Sequence, residues 1–413
     1  MTSFGVDVVA LVATLTPRPV TVVRDGPSLV IATDPDELVV ANGTDAFDAL
    51  DRAERAGFWT GYLAYDLGRA VEHVDTRAHD DLHLPDAVLA RHDARIVCTP
   101  GVAPRVLGQG PVRRVLERAL RAVVENNGAT HPAMPVAHAR WRSSLTRDEH
   151  ASRVEEIKQL LYAGECYQVN LTRRLTLDQQ VDPTALFAAV HERHGAPHEA
   201  FLAFDDTRVG ASLVSASPEL FLRVRDREVE TQPIKGTAVD ARTLGASAKD
   251  RAENVMIVDL ARNDLGRVCV PGSVHVPSMC AVQAHPGLHH LVSTVRGRRR
   301  DDVTLGALVR ATFPPASITG APKPRVMQAI ETLEPVRRGA YCGAIGWIDA
   351  ERAAAEWSVA IRTFTTTAHQ VHFGVGGGIV ADSEPQQEWE ETELKGARLL
   401  ALLRAGSMAG GRA

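Results

Sequence analysis

The chain has 413 residues, 45% of them hydrophobic and 23% charged, with a formal net charge of -5. That length holds two or more average domains or one large one, and the balance is that of an ordinary globular enzyme. The mild negative charge excludes a partner held by a broad basic surface, so no nucleic acid is expected. No run approaches the roughly 20 apolar residues of a membrane span, and the opening MTSFGVDVVALVATL carries an aspartate and no basic lead, so neither membrane nor secretion signal is expected.

Short β-type runs come first, at Pro19–Arg24, Leu29–Thr33 and Leu38–Val40, with polar turns between them. Asp45–Ala56 has helical spacing, and Gly57–Tyr65 that of a strand. Thr99–Val112 is spaced by Pro and Gly and predicts a connection; Val115–Val124 predicts a helix. Asn126–Pro135 holds Asn-Gly and two prolines, which places the main boundary there. Residues 1–135 then form an N-terminal segment and 140–403 a second domain, followed by a small, polar tail, 404–413, expected to be disordered.

Thr146-Arg147-Asp148-Glu149 fits a capping box. The helix it starts has Val154, Ile157, Leu160 and Leu161 on one face and stops at Gly164. Cys166–Leu171, Gly210–Val214 and Leu220–Val224 predict strands. Pro233-Ile234-Lys235-Gly236-Thr237 then sets a lysine where an apolar strand end meets a glycine turn. Solvated, that lysine is ordinary; desolvated, it is a nucleophile. Ser247–Arg262, Asp302–Thr312 and Pro322–Leu333 predict helices. Tyr341–Ile348, Ala354–Thr366 and Gln370–Val375 read as strands of one sheet, and a last helix runs from Glu384 to Leu403. The five cysteines are scattered, with no C-x-x-C spacing, so reduced thiols in the cytosol are expected.

Two helices carry acids at helical spacing: Asp250 and Glu253 on one, Glu388 and Glu391 with Lys395 on the other. Facing each other, they would make an oxygen-rich site suited to Mg²⁺. Spacing alone favours two solvated faces with ion pairs such as Glu391–Lys395. Gly374–Ala381 formally contains G-x-G-x-x-A, but the helix starts near Ser383, where Ser-x-x-Gln can cap it, so the glycines do not open it and a dinucleotide site is rejected. Bare amides approaching an anion and a tight turn both remain open there. His285, His289 and His290 lack a further ligand at recognisable spacing, so zinc is not expected. In PPASITGAPK (314–323), Thr319, Gly320 and Ala321 either offer donors to an anion or simply start a helix.

Taken in order, the motifs are specific. They are GECYQVNL (164–171), SASPE (215–219), PIKGT (233–237), AENVMIVDLARND (252–264), HLVS (290–293), PPASITGAPK, YCG (341–343), IRT (361–363), and GGGIVADS running on to EWEE (388–391). The series resembles the chorismate-utilising enzymes, which include the anthranilate, aminodeoxychorismate, isochorismate and salicylate synthases. The likeness covers residues 140–403; GFWTGYLAYDLGR (57–69) resembles the family's more variable first segment. Lys235 between Pro-Ile and Gly-Thr, where anthranilate synthases have alanine, and Gln168, where water-adding members have lysine, look like the aminodeoxychorismate branch.

The resemblance implies an α+β fold, with two large, mostly antiparallel sheets packed face to face and helices outside. It implies that Glu219 is a general acid and Lys235 a nucleophile that forms a covalent adduct with chorismate. It implies Mg²⁺ held by Glu253 and Glu391, with Asp250 and Glu388 supporting; Asp250 replaces the family's usual glutamate. It further implies that Gln168, Gly236, Thr237, His290, Thr319, Tyr341, Arg362, Gly376, Gly377, Gly378 and Lys395 line the substrate pocket. No Gly-x-Cys-x-Gly elbow with a downstream His-x-Glu occurs, so ammonia is expected from a separate glutamine amidotransferase subunit. The product would lead toward p-aminobenzoate and folate in the cytoplasm. The alternatives are anthranilate synthase component I, against which Lys235 stands, and a non-catalytic regulatory or binding subunit. The set of Glu219, Lys235, Glu253 and Glu391 stands against the second.

Overall fold

Alternation with period two sends neighbouring residues to different cores. Val22 joins a core under the outer helices, while Val23, next to it, joins the core between two sheets. A computed structural model describes residues 4–125, 131–133, 140–238, 240–285 and 288–403. Most of the loop taken as a domain boundary, and the 404–413 tail, lie outside the described residues.

The first sheet has eleven strands, in the order Gly320–Ala321, Gln168–Leu177, Val371–Ile379, Thr363–Thr366, Ser212–Ser217, His198–Ala203, Val20–Asp25, Ser28–Thr33, Ala94–Cys98, Arg105–Gly108, with Trp141–Ser143 beside Gln168–Leu177. The second has ten, in the order Ile234–Ala238, Leu288–Arg298, Glu228–Gln232, Leu220–Arg225, Ala354–Val359, Ala344–Asp349, Phe58–Leu63, Ala87–His92, Glu37–Ala41, with His275–His285 beside Leu288–Arg298. Their pairings are antiparallel, and the faces they turn to each other enclose Phe58, Tyr62, Leu202, Leu213 and Trp347. Helices Val8–Leu15, Gly110–Glu125, Pro183–Arg193 and Pro385–Leu400 cover one outside; Asp45–Ala53, Ala248–Gly266 and Leu305–Thr312 cover the other, and Lys323–Leu333 packs against Gln168–Leu177 of the first sheet. This is the two-sheet α+β architecture expected above. N-terminal strands enter both sheets: Val20 pairs with Ala203, and Phe58 with Asp349.

Several local readings differ. The stretch read as strands of one sheet is divided: Ala344–Asp349 and Ala354–Val359 lie in the second sheet, Thr363–Thr366 and Val371–Ile379 in the first. The chain changes sheets at Ala360–Arg362, where Arg362 takes a left-handed φ of 52°. Residue-type patterns cannot tell two apolar strands in one sheet from two strands joined by such a crossing. The supposed connection 99–112 contains the strand Arg105–Gly108, recruited by pairing with Ala94–Cys98. The last helix begins at Pro385 with no side-chain cap, because Ser383 Oγ is spent on Val380 N and Glu388. The Thr146 capping box is present in both halves. All five cysteines are free and buried, and no helix among the described residues is long and apolar enough to cross a membrane.

Trp347 ties the sheets together. It is 1% exposed, and its Nε1 donates to Arg24 O at 2.7 Å. The guanidiniums of Arg225 and Arg352 lie 5.1 and 5.4 Å from its ring. Arg225 and Arg352 also pair with Asp25 of the facing sheet. Trp347→Phe keeps a ring but loses the donor and part of the buried surface. It is expected to lower the unfolding free energy by about 1–3 kcal/mol in urea titrations, with unchanged far-UV circular dichroism.

Candidate active site

The lysine motif is a β-bulge. Lys235 pairs with Leu291 and Thr237 with His290, so Gly236 is an extra residue in its strand. Its φ of 79° is open to glycine at little cost. A Cβ there would also lie 2.9 Å from Asp250 Cβ. Two demands therefore fall on one glycine: the bulge's left-handed turn and the close approach of the Asp250 helix. The bulge leaves Lys235 half-buried, with Nζ donating to Ser317 O at 3.3 Å. Burial lowers the lysine's pKa, and Lys395 adds to this; Glu253, Glu219 and Glu391 pull it back up.

Glu219 is 4% exposed. Burial pushes its carboxyl up to about 7, against the Ser317 hydroxyl, the charge of Lys235, the Ile234 amide and Arg362. The acid and the amine thus share one neighbour, Ser317. The rigid Pro-rich loop supplies it, with Thr319 beyond it donating its hydroxyl to Pro315 O at 2.8 Å.

The glycine run is the middle of a strand and not a turn. Gly376, Gly377 and Gly378 pair with Thr172, Leu171 and Asn170. Thr363–Thr366 pairs with this strand only as far as Phe373, so beyond it one edge has no strand beside it among the described residues. Lys395 Nζ donates to Gly376 O across that edge at 2.9 Å. In an antiparallel ladder a residue's N–H and C=O point the same way, alternating along the strand. The amides of Gly376 and Gly378 therefore face the same opening. Their partners agree: Asn170 N turns away to Thr319 O, and Thr172 N to Glu334.

Glycine is needed for what lies on either face. A Cβ on Gly378 would sit 2.7 Å from Gln168 Nε2 and 3.2 Å from Lys235 Nζ. A Cβ on Gly377 would sit 3.1 Å from Glu388 Oε2 and 3.6 Å from Glu391 Oε1. Gln168 is fully buried, yet neither its Oε1 nor its Nε2 has a hydrogen-bond partner among the described residues. A buried primary amide left bare costs free energy unless a ligand meets it.

The acids of the two helices act on one another's charge. Glu253 and Glu388 are both raised above the usual carboxylate range by burial, and Glu391 adds to each by repulsion, as Asp250 does to Glu253. Glu388 Oε1 accepts from Ser383 at 2.6 Å, while its buried Oε2 has no partner among the described residues. Glu391 pairs with Lys395 at 2.6 Å, which holds its carboxyl low against burial. Mutually repelling carboxylates with an orphaned oxygen fit a cation. Among the described residues no three of His, Cys, Asp or Glu are grouped so as to hold a metal ion by themselves.

At the sheet crossing, Arg362 lies with Nη2 3.5 Å from Nε2 of the buried His290. Burial and the nearby Arg398 lower its pKa, and Glu219 opposes them. Among the described residues no carboxylate pairs with it directly, so its charge is open to an anion. Tyr341 stands further along, its ring covering Gly374, among Cys342, Arg338 and Glu334. No hydrogen bond joins it to Arg362. Thr237 continues the bulged strand opposite His290. His289 and His290 are successive strand residues and so point to opposite faces. Ser317 and Lys249 were not singled out from sequence. Lys249 bears on Glu253, Glu388 and Glu391. A lysine three or four positions from an acid on a helix looks like any surface ion pair.

The profile of a family described as chorismate binding enzyme matches residues 16–401. The aminodeoxychorismate synthase component 1 of Klebsiella aerogenes is 39% identical over 357 residues, 84% of this chain and 77% of that one. The anthranilate synthase component 1 1 of Haloarcula marismortui is 36% identical over 368 residues, 82% of this chain and 74% of that one. Among solved structures, anthranilate synthase component I from Streptococcus pneumoniae superposes with a TM-score of 0.79 at 24% identity, covering 91% of this chain and 93% of that one. The last likeness is one of fold.

The Glu219 carboxyl has a signature of its own. In the unfolded chain it loses its proton in the ordinary carboxylate range; in the fold it keeps it to about 7. Unfolding therefore releases a proton between these limits, and stability falls as pH rises through that window. From about pH 4 to about pH 8, wild type is expected to lose up to about 3 kcal/mol relative to Glu219→Gln in urea titrations. Parallel pH curves for the two proteins would mean that Glu219 titrates normally.

Proposed function

The chain belongs to the chorismate binding enzyme family, and within it we propose that this protein replaces the 4-hydroxyl of chorismate by an amino group, as component I of an aminodeoxychorismate synthase. The observation that carries the reading is a desolvated Lys235 set between Glu219 and the unpartnered amide of Gln168. Sequence likeness to aminodeoxychorismate synthase component 1 supports it.

In this reading Glu219, protonated near neutrality, gives its proton to the departing 4-hydroxyl, which leaves as water. Lys235 Nζ, as the free amine, bonds to C2 as the C4–O bond breaks. Ammonia then bonds to C4, the C2–N bond to Lys235 breaks, and the surplus proton on nitrogen returns to Glu219. Chorismate and ammonia become 4-amino-4-deoxychorismate and water. Gln168 meets the reacting region with an amide, which cannot act as a base toward water and so leaves the site to ammonia.

Chorismate has two carboxylates. Arg362, with the open amides of Gly376 and Gly378, suits the one on the enolpyruvyl group, and Tyr341 flanks that strand. Glu253 and Glu391, supported by Glu388 and Asp250, would hold Mg²⁺, which when bound neutralises the ring carboxylate. Gly236, Thr237, His290, Thr319 and Lys395 complete the walls. Ammonia would come from a glutamine amidotransferase subunit, since the relatives are named as component 1 of their synthases. The product would feed p-aminobenzoate and folate synthesis. The anthranilate alternative has relatives of slightly lower identity, and Lys235 disfavours it.

Purified protein with chorismate, Mg²⁺ and ammonium is expected to form a product with the mass of 4-amino-4-deoxychorismate. Strong anthranilate fluorescence in its place would move the protein to the other branch. Lys235→Ala should cut amination by at least about 100-fold or divert it toward anthranilate; an unchanged rate and product would remove Lys235 from the mechanism. The rate should fall as pH rises through about 7, where Glu219 loses its proton. Chelation should abolish activity, and added Mg²⁺ should restore it.

A further inference from the structure

Arg338 and Glu334 form a pair that no step above uses. Arg338 is 5% exposed and Glu334 4%. The guanidinium makes four hydrogen bonds to three groups. Nε donates to Glu334 Oε2 at 2.9 Å and Nη2 to Glu334 Oε1 at 2.7 Å. Nη1 donates to Ile318 O at 2.8 Å, and Nη2 also donates to Asn170 O at 2.7 Å. Its face lies 4.4 Å from the Tyr65 ring centre. Glu334 Oε1 in turn accepts from Thr172 N at 2.8 Å.

Those contacts fall on the two pieces of backbone that flank Lys235. Ile318 follows Ser317, whose carbonyl receives Lys235 Nζ and whose hydroxyl meets Glu219. Asn170 and Thr172 lie on the strand of Gln168, opposite Gly378 and Gly376. The pieces are also linked directly, by Asn170 N to Thr319 O at 2.9 Å, by Tyr167 N to Ala321 O at 2.8 Å, and by the pairing of Gly320–Ala321 with Val169 and Gln168. Beside these links, one guanidinium bonds to both pieces at once. A planar fork can grip a carboxylate with two bonds and still reach two carbonyls; an ammonium, with three donors on one atom, cannot make all four bonds.

We propose that the Arg338–Glu334 pair is a positioning device that locks the Ser317 loop to the Gln168 strand and so holds Lys235 Nζ in place between Glu219 and Gln168. Arg338 donates to Glu334, Ile318 and Asn170 and to none of Lys235, Glu219 or Gln168; it acts through Ser317 and the strand. The catalytic half of this inference rests on the amination reading. The placement of Lys235 does not, and can be measured without substrate.

The test compares wild type with the double variant Glu334→Gln/Arg338→Met, and with Arg338→Lys. Replacing both members of a buried pair leaves no uncompensated charge and is often near neutral for stability. Arg338→Lys keeps the charge and loses the fork, so it serves if the double variant does not fold. Lys235 and Lys395 are labelled competitively with acetic anhydride, and the ratio is read by peptide mass spectrometry. In a folded variant the Lys235:Lys395 ratio is expected to change by at least about 3-fold, since the Ser317 acceptor is displaced. Turnover should drop about 10- to 100-fold with KM for chorismate within about 3-fold, the pattern of lost transition-state placement. A folded variant with unchanged ratio and unchanged kcat would overturn the proposal. If wild type itself aminates nothing, the amination reading fails while the labelling ratio still decides where Lys235 is held.

Discussion

Desolvation of two opposite ionisable groups beside one loop is the constraint on which the rest of the site depends. In water a carboxyl and a lysine amine at neutral pH are a carboxylate and an ammonium, useless as acid and nucleophile. Burial disfavours both charges at once: it raises Glu219 to about 7 and lowers Lys235. Their mutual attraction works the other way and would fix the inactive ion pair. Spacing decides the contest, and Ser317, which contacts both, sets the spacing. Burial thereby leaves the carboxyl and the amine nearer their neutral forms than either is in water.

Bare glycine backbone lets this pair work beside a cluster of acids. The 376–378 run separates Gln168 and Lys235 on one face from Glu388 and Glu391 on the other, with no side chain between. Glu391 still acts on Lys235, and Lys395 tethers Glu391 to the same strand. A cation drawn to these carboxylates would also favour the free amine, since like charge disfavours the ammonium. The free strand edge adds amides beside Arg362, which its left-handed φ at the sheet crossing turns toward His290.

Much of this was legible in order and little of it in place. The ordered motifs named a family and its acid, amine and acidic helices. Helix ends with side-chain caps, such as Thr146 with Glu149, were readable because the signal is local. The Ser383 cap was misread because its hydroxyl is claimed by Val380 and Glu388, a competition that no spacing reveals. Tyr341–Thr366 was read into one sheet because apolar alternation is the same on either side of a crossing. Glycines 376–378 stayed ambiguous between turn and strand, since their meaning lies in what approaches them.

By itself the sequence determined which chemical groups are present and the branch of chemistry they suit: a lysine within PIKGT, an acid at Glu219, a glutamine at 168, paired acids on two helices. Those are properties of residue identity and order. Only the tertiary structure decided which groups are out of water and which face each other. Lys235 and Ser317 are 82 positions apart, and Gln168 meets Gly378 from across a sheet. Lys235's shift, Gln168's orphaned amide and the locking of the Ser317 loop by Arg338 all arise from such distant approaches. Dielectric, repulsion and hydrogen bonding depend on distance in space, and distance along the chain carries almost none of that information.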